Sequence, residues 1–391
     1  MSIMKTYQFK LYQAKRNKYL HLAINAASNI YNHCIALHKR YYRLFNKHLN
    51  KNKLMKHIAK LRNKNEYWQL VGSQAVQDIV QRIDRAYQLF FKYHNKGVRP
   101  PNFRKKIKYK SITLKQAGYK FLGANKTGDT SSGNKFQRRA LLKIGSRIYK
   151  FWKSREIEGK IKTVTIKRNS LGELFIFVVT DYVDQILSIM TSKNAGFDFG
   201  LKVFLTCSDN TKIQAPLFLR QSLKELKQAS RNHSTKKKRS NNREKARKNL
   251  VRVHEKVVNR RTDWFWKLAH FLTNKFDYLF FETLNLKGMQ RLWGRKISDL
   301  AFAEFLKILE FVAEKKGKIV SYIDRWYPST KTCSECNFII DKLGLNERYW
   351  VCPSCTTKHG RDENSSINIL KVGASTLGLG DVSQFQTAIA V

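Results

Sequence analysis

Four cysteines in two close pairs near the C-terminal end constrain the fold of this chain more than any other feature. They follow the pattern Cys333-x2-Cys336-x15-Cys352-x2-Cys355. Two Cys-x2-Cys turns can place four thiolate sulfurs about 2.3 Å from one tetrahedral Zn²⁺, and the spacer is long enough for a short hairpin. We therefore predict a zinc ribbon with one structural Zn²⁺, because four thiolates fill every coordination position of the metal.

Two other interpretations of this segment are less favoured. The pairs could be redox-active, but both recur in one short, turn-rich segment, and Pro353 lies inside the second pair. His359, four residues after the fourth cysteine, could be a zinc ligand, although four thiolates already suffice. Taken alone, a zinc ribbon says little about function.

The charge of the chain narrows the class of its partner. The 391 residues include 76 Lys and Arg against 28 Asp and Glu, a formal net charge of +48. Such an excess destabilises the compact state unless a polyanion neutralises it, so we expect a nucleic-acid partner. The chain is 42% apolar, which is ample for buried cores and excludes global disorder.

No membrane segment is expected. The longest apolar run, residues 174–179, is far shorter than the ~20 residues that cross a bilayer. No apolar block follows Lys5, so a secretory signal is not expected either.

Cys34 and Cys207 stand alone, and this cysteine usage is typical of a reducing compartment. We expect an intracellular protein.

Hydrophobic periodicity predicts a mixed α/β chain. Alternating apolar residues at 7–11 predict a strand, and stripes at helical spacing predict helices around 20–37 and 76–90. Residues 161–166 and 174–179, separated by a turn, predict a hairpin. Together these patterns favour a small β-barrel that is interrupted by a helical insertion.

A strongly basic stretch follows. Residues 220–261 contain 16 Lys and Arg but only three acids. An apolar stripe through its second half, which includes Val253 and Val257, predicts helices with one face to bury and another rich in cations.

Three acids could converge on one site. Asp198 lies within a predicted strand, Glu282 ends another, and Asp362 precedes a helical pattern. A buried carboxylate is costly unless it is paired or binds metal, and converging carboxylates repel one another unless a divalent cation intervenes. Two Mg²⁺ ions about 3.5–4 Å apart could activate water and stabilise the leaving oxygen of a phosphodiester. Each acid alone could equally be a helix cap, a turn residue or an ion-pair partner.

The three acids and the ribbon lie in blocks whose order resembles the TnpB family of transposon-encoded RNA-guided endonucleases. The blocks are GFDFGLK (residues 196–202), FETLNLKGM (281–289), the ribbon, and RDENSSIN (361–368). Gly360 departs from the family pattern, since many relatives have an additional Asp there, and Glu363 adds a nearby acid. We keep Asp362 as the ligand because Asn364 and Asn368 follow it two and six residues later, as the motif requires.

The resemblance implies an α/β multidomain architecture. It comprises a RuvC-like nuclease domain of RNase H fold with an inserted four-cysteine zinc ribbon, and an N-terminal wedge β-barrel with an inserted α-helical recognition lobe. Asp198, Glu282 and Asp362 would hold two catalytic Mg²⁺. The expected segments are 1–12 (first wedge strand), 13–97 (helical lobe), 98–190 (remaining wedge), 191–330 (nuclease domain, with basic helices at 220–275), 331–357 (zinc ribbon, binding target nucleic acid), 358–371 (final nuclease helix) and 372–391 (flexible tail).

The resemblance also implies partners and an activity. A guide RNA from the transposon end, the ωRNA, would pair with double-stranded target DNA beside a short adjacent motif, and the protein would bind the RNA–DNA heteroduplex as a monomer with its RNA. Hydrolysis of the DNA would depend on Mg²⁺. The expected location is the prokaryotic cytoplasm, with association with the nucleoid when the protein is bound to DNA. The alternative is an RNA-guided DNA-binding repressor or transposition regulator without cleavage, and the presence of all three acids favours the nuclease.

Overall fold

The computed structural model describes residues 2–122, 139–183, 191–344 and 347–379. It divides the chain into two compact units, Met1–Asp184 and Gln185–Val391. In the described ranges, every helix is too short or too polar to cross a bilayer.

The first unit begins with a strand, continues through helices and ends in strands. Strand β1 (Ser2–Leu11) comes first. The helices are α1 (Asn17–Phe45), α2 (Lys51–Lys64), α3 (Glu66–Gln69) and α4 (Ser73–Tyr93). The later strands are β2 (Ser111–Leu114), β3 (Lys120–Leu122), β4 (Arg139–Ile144), β5 (Arg147–Trp152), β6 (Lys160–Arg168) and β7 (Leu174–Val183). Short 3-10 turns lie at His94–Lys96, Lys106–Lys108 and Gln116–Gly118.

The seven strands of this unit form an antiparallel sheet in the order β2-β6-β7-β1-β5-β4-β3. The predicted hairpin is confirmed as β6 and β7, which pair antiparallel. Strand β1 pairs with both β7 and β5, so the first strand of the chain lies inside the sheet, and the helices are inserted in the chain between β1 and the strands that follow. In the described ranges β2 and β3 are the two edges of the sheet, and closure into a barrel stays a prediction.

The second unit alternates strands and helices. Its strands are β8 (Asn194–Phe199), β9 (Leu205–Cys207), β10 (Lys212–Ile213), β11 (Tyr278–Glu282), β12 (Ile319–Ile323), β13 (Tyr349–Val351) and β14 (Lys358–Gly360). Its helices are α5 (Phe218–Thr235), α6 (Asn241–Lys275), α7 (Leu286–Leu300), α8 (Phe302–Lys315) and α9 (Arg361–Thr376). The basic stretch is therefore helical, as predicted, and α5 and α6 pack against each other through Leu226, Ala229 and Val253.

A five-stranded sheet in the order β10-β9-β8-β11-β12 organises this unit. Strands β8, β11 and β12 run parallel, whereas β9 is antiparallel to β8 and β10 is antiparallel to β9. One face of the sheet buries an aromatic cluster in which the rings of Phe197 and Phe281 stack 5.0 Å apart. The other face packs against α9 through Phe280, Ile369 and Leu370.

The final helix extends further than the predicted boundary at residue 371. Helix α9 runs to Thr376, and Ala374 is fully buried. The reason is packing, because Gly373 lies so close to the ring of Phe280 that a Cβ there would be 2.3 Å from it. The start of the predicted tail thus belongs to the core, and residues 380–391 of that tail lie outside the described residues.

Candidate active site

Asp198 and Glu282 project from the same face of the five-stranded sheet. Phe281 pairs with Phe197 in parallel register, so Glu282 and Asp198 are neighbours at the next position, on strands about 4.8 Å apart. Side chains alternate along a strand, and Phe197 and Phe281 occupy the opposite, aromatic face. Both carboxylates therefore point toward the side that α9 covers.

Helix α9 brings the third acid to this side. Asp362 is the second residue of the helix, which crosses β8 where Gly196 contacts the backbone of Ser366 and Leu370. A larger residue than glycine would hold the helix away from the strand at this point. The structure thus draws Asp198, Glu282 and Asp362 from three separate elements to one region.

Electrostatics show how closely the three acids interact. Burial raises the pKa of Asp198 well above its usual range, and the negative charges of Asp362 and Glu282 raise it further. The cation of Arg361 opposes this shift only in part. Burial also raises the pKa of Glu282 to about 6. Carboxylates in such a setting ionise together only when a cation compensates them.

The oxygen donors fit a hard divalent cation, which prefers carboxylate ligands. The three carboxylates do not all lie within 4.8 Å of one another. In the described ranges, only the four ribbon cysteines form a group of three or more potential ligands that close together. One contact acts on Asp362 from outside the trio, since Arg348 donates from Nη1 to its Oδ2 at 3.0 Å. Glu363 is turned elsewhere, because it forms an ion pair with Lys212 of β10.

The predicted clustering of the four cysteines is confirmed. The sulfurs of Cys333 and Cys355 lie 3.5 Å apart, and those of Cys336 and Cys352 lie 3.6 Å apart. Sulfurs at about 2.3 Å from a tetrahedral ion would be about 3.8 Å apart, so the four thiols fit one Zn²⁺. Strands β13 and β14 form a hairpin that encloses the second cysteine pair, whereas the prediction placed a hairpin in the spacer between the two pairs.

His359, the alternative zinc ligand, lies next to this cluster but is not a member of the group of four potential ligands. It is buried on β14, and its Nε2 lies 3.0 Å from the sulfur of Cys333. Burial lowers the pKa of His359, which favours a neutral ring that can donate to a thiolate. Its ring also packs against Trp350, a buried residue of the small core within the ribbon.

Two further residues near the acids have structural roles. Asn285 caps the N-terminus of α7 and accepts a hydrogen bond from the Gly288 N–H at 3.2 Å. Thr283 donates from its hydroxyl to the carbonyl oxygen of Ile323 at 2.9 Å, which ties the end of β11 to β12. The block that follows Glu282 therefore fixes the end of the strand and the start of the next helix. The sequence did not predict the contact between Arg348 and Asp362. Its only indication in the sequence is that Arg348 is a basic residue within the ribbon.

Comparisons with known proteins agree with this arrangement. The family model OrfB_IS605, described as "Probable transposase", matches residues 184–292. The model described as "Cas12f1-like, TNB domain" matches residues 302–369, which include the ribbon and Asp362. The chain is 35% identical to a "Putative RNA-guided DNA endonuclease" of Streptomyces pristinaespiralis over 56% of this chain and 54% of that protein. It is 32% identical to TnpB-like protein L79 of Acanthamoeba polyphaga mimivirus over 54% of this chain and 43% of that protein.

The chain is similar in sequence to proteins of the TnpB family. Its alignments span about half the length of the two relatives. Among solved structures, a Cas12f1 chain in a complex with sgRNA and target DNA has a similar fold. The TM-score is 0.61 at 12% identity, and the match covers 94% of this chain and 98% of that chain.

Proposed function

We propose that this chain is an RNA-guided DNA endonuclease of the TnpB family whose metal-binding acids are Asp198, Glu282 and Asp362. The observation that carries the proposal is the register of β8 and β11, which places Asp198 beside Glu282 on the face that α9 covers; burial, Asp362 and Glu282 all raise the pKa of Asp198 there. A structural acid in a chain of net charge +48 would be expected to find a lysine or an arginine. Asp198 lies among other acids whose effect Arg361 offsets only in part, and the elements that carry these acids meet from distant parts of the chain.

The topology of the second unit supports a RuvC-like domain of RNase H fold. Three consecutive antiparallel strands, β8 to β10, are extended on the other side of β8 by two parallel strands. The acids lie on the central strand β8, on its parallel neighbour β11 and on the helix packed against both. The first unit would supply the wedge and the helical lobe, over the segments 1–12, 13–97 and 98–190.

Each group in the site has a proposed role. The three carboxylates would bind two Mg²⁺ ions, which when bound supply an activated water and neutralise charge at the scissile phosphate. The four cysteines would hold one Zn²⁺ and so keep the hairpin of β13 and β14 folded. The cations of α5 and α6 would bind phosphates of a guide RNA, the ωRNA, and of its heteroduplex with target DNA. We propose a monomer with its RNA as the working form.

The test uses the protein purified with its RNA and a plasmid that carries the matching target beside randomised flanks. With Mg²⁺ we expect linear product from a subset of flanks, which identifies the adjacent motif, and with EDTA we expect none. Asp198→Ala should bind the same plasmids and leave them intact. If wild type and Asp198→Ala bind equally and neither cuts in Mg²⁺, the protein is an RNA-guided DNA-binding protein without cleavage activity.

A further inference from the structure

Two buried asparagines join the helix that carries Asp362 to the zinc ribbon. Asn364 and Asn368 are each only 1% exposed. They lie four residues apart, so their side chains share one face of α9. Asp362 is in the first turn of the same helix, two residues before Asn364.

Both amides bond to the backbone that surrounds the first cysteine pair. Asn364 accepts from the Ser334 N–H at 2.9 Å and donates to the Thr332 carbonyl oxygen at 2.7 Å. These two backbone groups flank Cys333, one of the four clustered cysteines. The position of Cys333 and that of Asn364 are therefore fixed relative to each other.

Asn368 repeats the contact one helical turn later. Its Nδ2 donates to the carbonyl oxygens of Ser329 at 2.8 Å and Thr332 at 2.6 Å. Because these oxygens are buried with the asparagines, loss of the amides would leave buried acceptors without their donors. The helix is thus fastened to the first cysteine pair at two successive turns.

The second half of the ribbon contacts the same helix. Tyr349 pairs with Gly360 between β13 and β14, and this pairing places Arg348 beside the start of α9. The Arg361 N–H donates to the Arg348 carbonyl oxygen at 2.8 Å, while the Arg348 side chain holds Asp362. Both cysteine-bearing segments therefore determine where the Asp362 carboxylate lies.

We propose that Asn364 and Asn368 are positioning residues that make divalent-cation binding at the acid site depend on the zinc ribbon. This inference rests on the proposed function, because it assumes that Asp362 binds the cation. The asparagines do not touch the reacting atoms; they hold α9 so that Asp362 faces Asp198 and Glu282. Release of zinc would free the backbone around Cys333 and, through the asparagines, loosen the first turn of α9.

The test measures Mn²⁺ affinity by electron paramagnetic resonance on the full chain, with zinc content determined in parallel. Asn368→Ala should keep its zinc and bind Mn²⁺ about tenfold more weakly, which is the usual scale for residues that orient metal ligands. Wild-type protein stripped of zinc should show a similar loss. The matched control is Ser366→Ala, because the hydroxyl of this buried residue bonds only within α9, to the Glu363 carbonyl oxygen. This variant should bind Mn²⁺ as wild type does.

A second variant keeps the test decisive if Asn368→Ala does not fold. Asn364→Asp retains the acceptor for the Ser334 N–H and removes the donor to the Thr332 carbonyl oxygen, so it should also weaken Mn²⁺ binding. Zinc-loaded variants with wild-type Mn²⁺ affinity would overturn the proposal, as would zinc-free wild type that binds Mn²⁺ normally. Asp198→Asn distinguishes failure of the positioning role from failure of the proposed acid site. If it alone loses Mn²⁺, only the positioning role is wrong, and if it binds Mn²⁺ normally, the proposed acid site is wrong.

Discussion

Gly196 on β8 lies against Ser366 on α9 so closely that a Cβ at position 196 would be 2.2 Å from the Ser366 carbonyl oxygen. Gly196 is two residues before Asp198, and Ser366 is four residues after Asp362. The separation of the two acids is therefore controlled by a direct backbone contact between the strand and the helix that carry them.

Gly196→Ala should impair both folding and activity. The added methyl group meets backbone atoms, which cannot rotate away, so we expect a loss of roughly 1–3 kcal/mol in the free energy of unfolding. Cleavage should fall as well, because α9 must move away from β8. The measurements are thermal unfolding and plasmid cleavage. Gly294→Ala on α7 is the control, since nothing lies within 4 Å of its Cβ, and equal effects of both substitutions would contradict the account.

Asp198→Asn should stabilise the metal-free protein while it abolishes cleavage. The pKa of Asp198 is raised by burial and by Asp362 and Glu282, so its ionised form opposes folding above pH 4. Removal of that charge should therefore add about 1 kcal/mol or more at pH 8 in EDTA, measured by thermal unfolding. The gain should vanish as the pH falls below about 4, where the carboxyl is protonated in both states. A variant that is less stable than wild type at pH 8 would argue against repulsion among the acids.

Much of the fold follows from local patterns in the sequence, whereas the contacts that complete the site do not. Strand β1 could be predicted from the alternation at residues 7–11, and the hairpin of β6 and β7 from the turn between two short strand-like segments. The ion pair of Arg348 with Asp362 joins residues 14 positions apart, through a hairpin that depends on the cysteine cluster. Hydrophobic periodicity does not predict a contact of this kind.

The asparagines and the end of the last helix show the same limit. Asn364 and Asn368 could be recognised as part of a motif, but their bonds to the first cysteine pair appear only once the ribbon is folded. The predicted tail was placed by its lack of cations, yet Gly373 and Ala374 pack against the sheet. The lack of cations in this segment predicts that it does not bind phosphate. It does not predict that a small residue, Gly373, packs against Phe280.

Cys352→Ser should remove zinc from the protein. Cys352 is buried in the cluster, and a serine hydroxyl is a poor ligand for Zn²⁺ compared with a thiolate. Zinc content measured by mass spectrometry should fall from about one ion per chain to nearly none. Cys207→Ala, which changes a buried cysteine on β9, should retain its zinc. Equal zinc contents in the two variants would exclude the four-cysteine site.

Acid should destabilise the first unit through His38. This residue is 4% exposed and packs against both His48 and Tyr87, and burial, together with the charge of His48, lowers its pKa to about 4. At His38, the unfolded chain therefore binds a proton more readily than the folded chain does. The free energy of unfolding should be greatest above pH 6.5 and should fall by up to about 3 kcal/mol as the pH decreases toward 4.

The measurement is the melting temperature between pH 7 and pH 5. His38→Leu should flatten the dependence on pH, whereas His94→Gln, at an exposed position of the same unit, should keep the wild-type slope. An unchanged slope in His38→Leu would show that other groups cause the acid sensitivity.

The most direct test of the central claim compares two aspartates of the second unit in one cleavage assay. Asp198 belongs to the acid site, whereas Asp209 is exposed and pairs with Lys275 at 2.6 Å. The protein–RNA complex is incubated with a matching plasmid in Mg²⁺, and cleavage and binding are measured on the same samples. We predict that Asp198→Asn binds normally and cuts at least 10³-fold more slowly, while Asp209→Asn cuts like wild type. Normal cleavage by Asp198→Asn would contradict the assignment of these acids as the nuclease site.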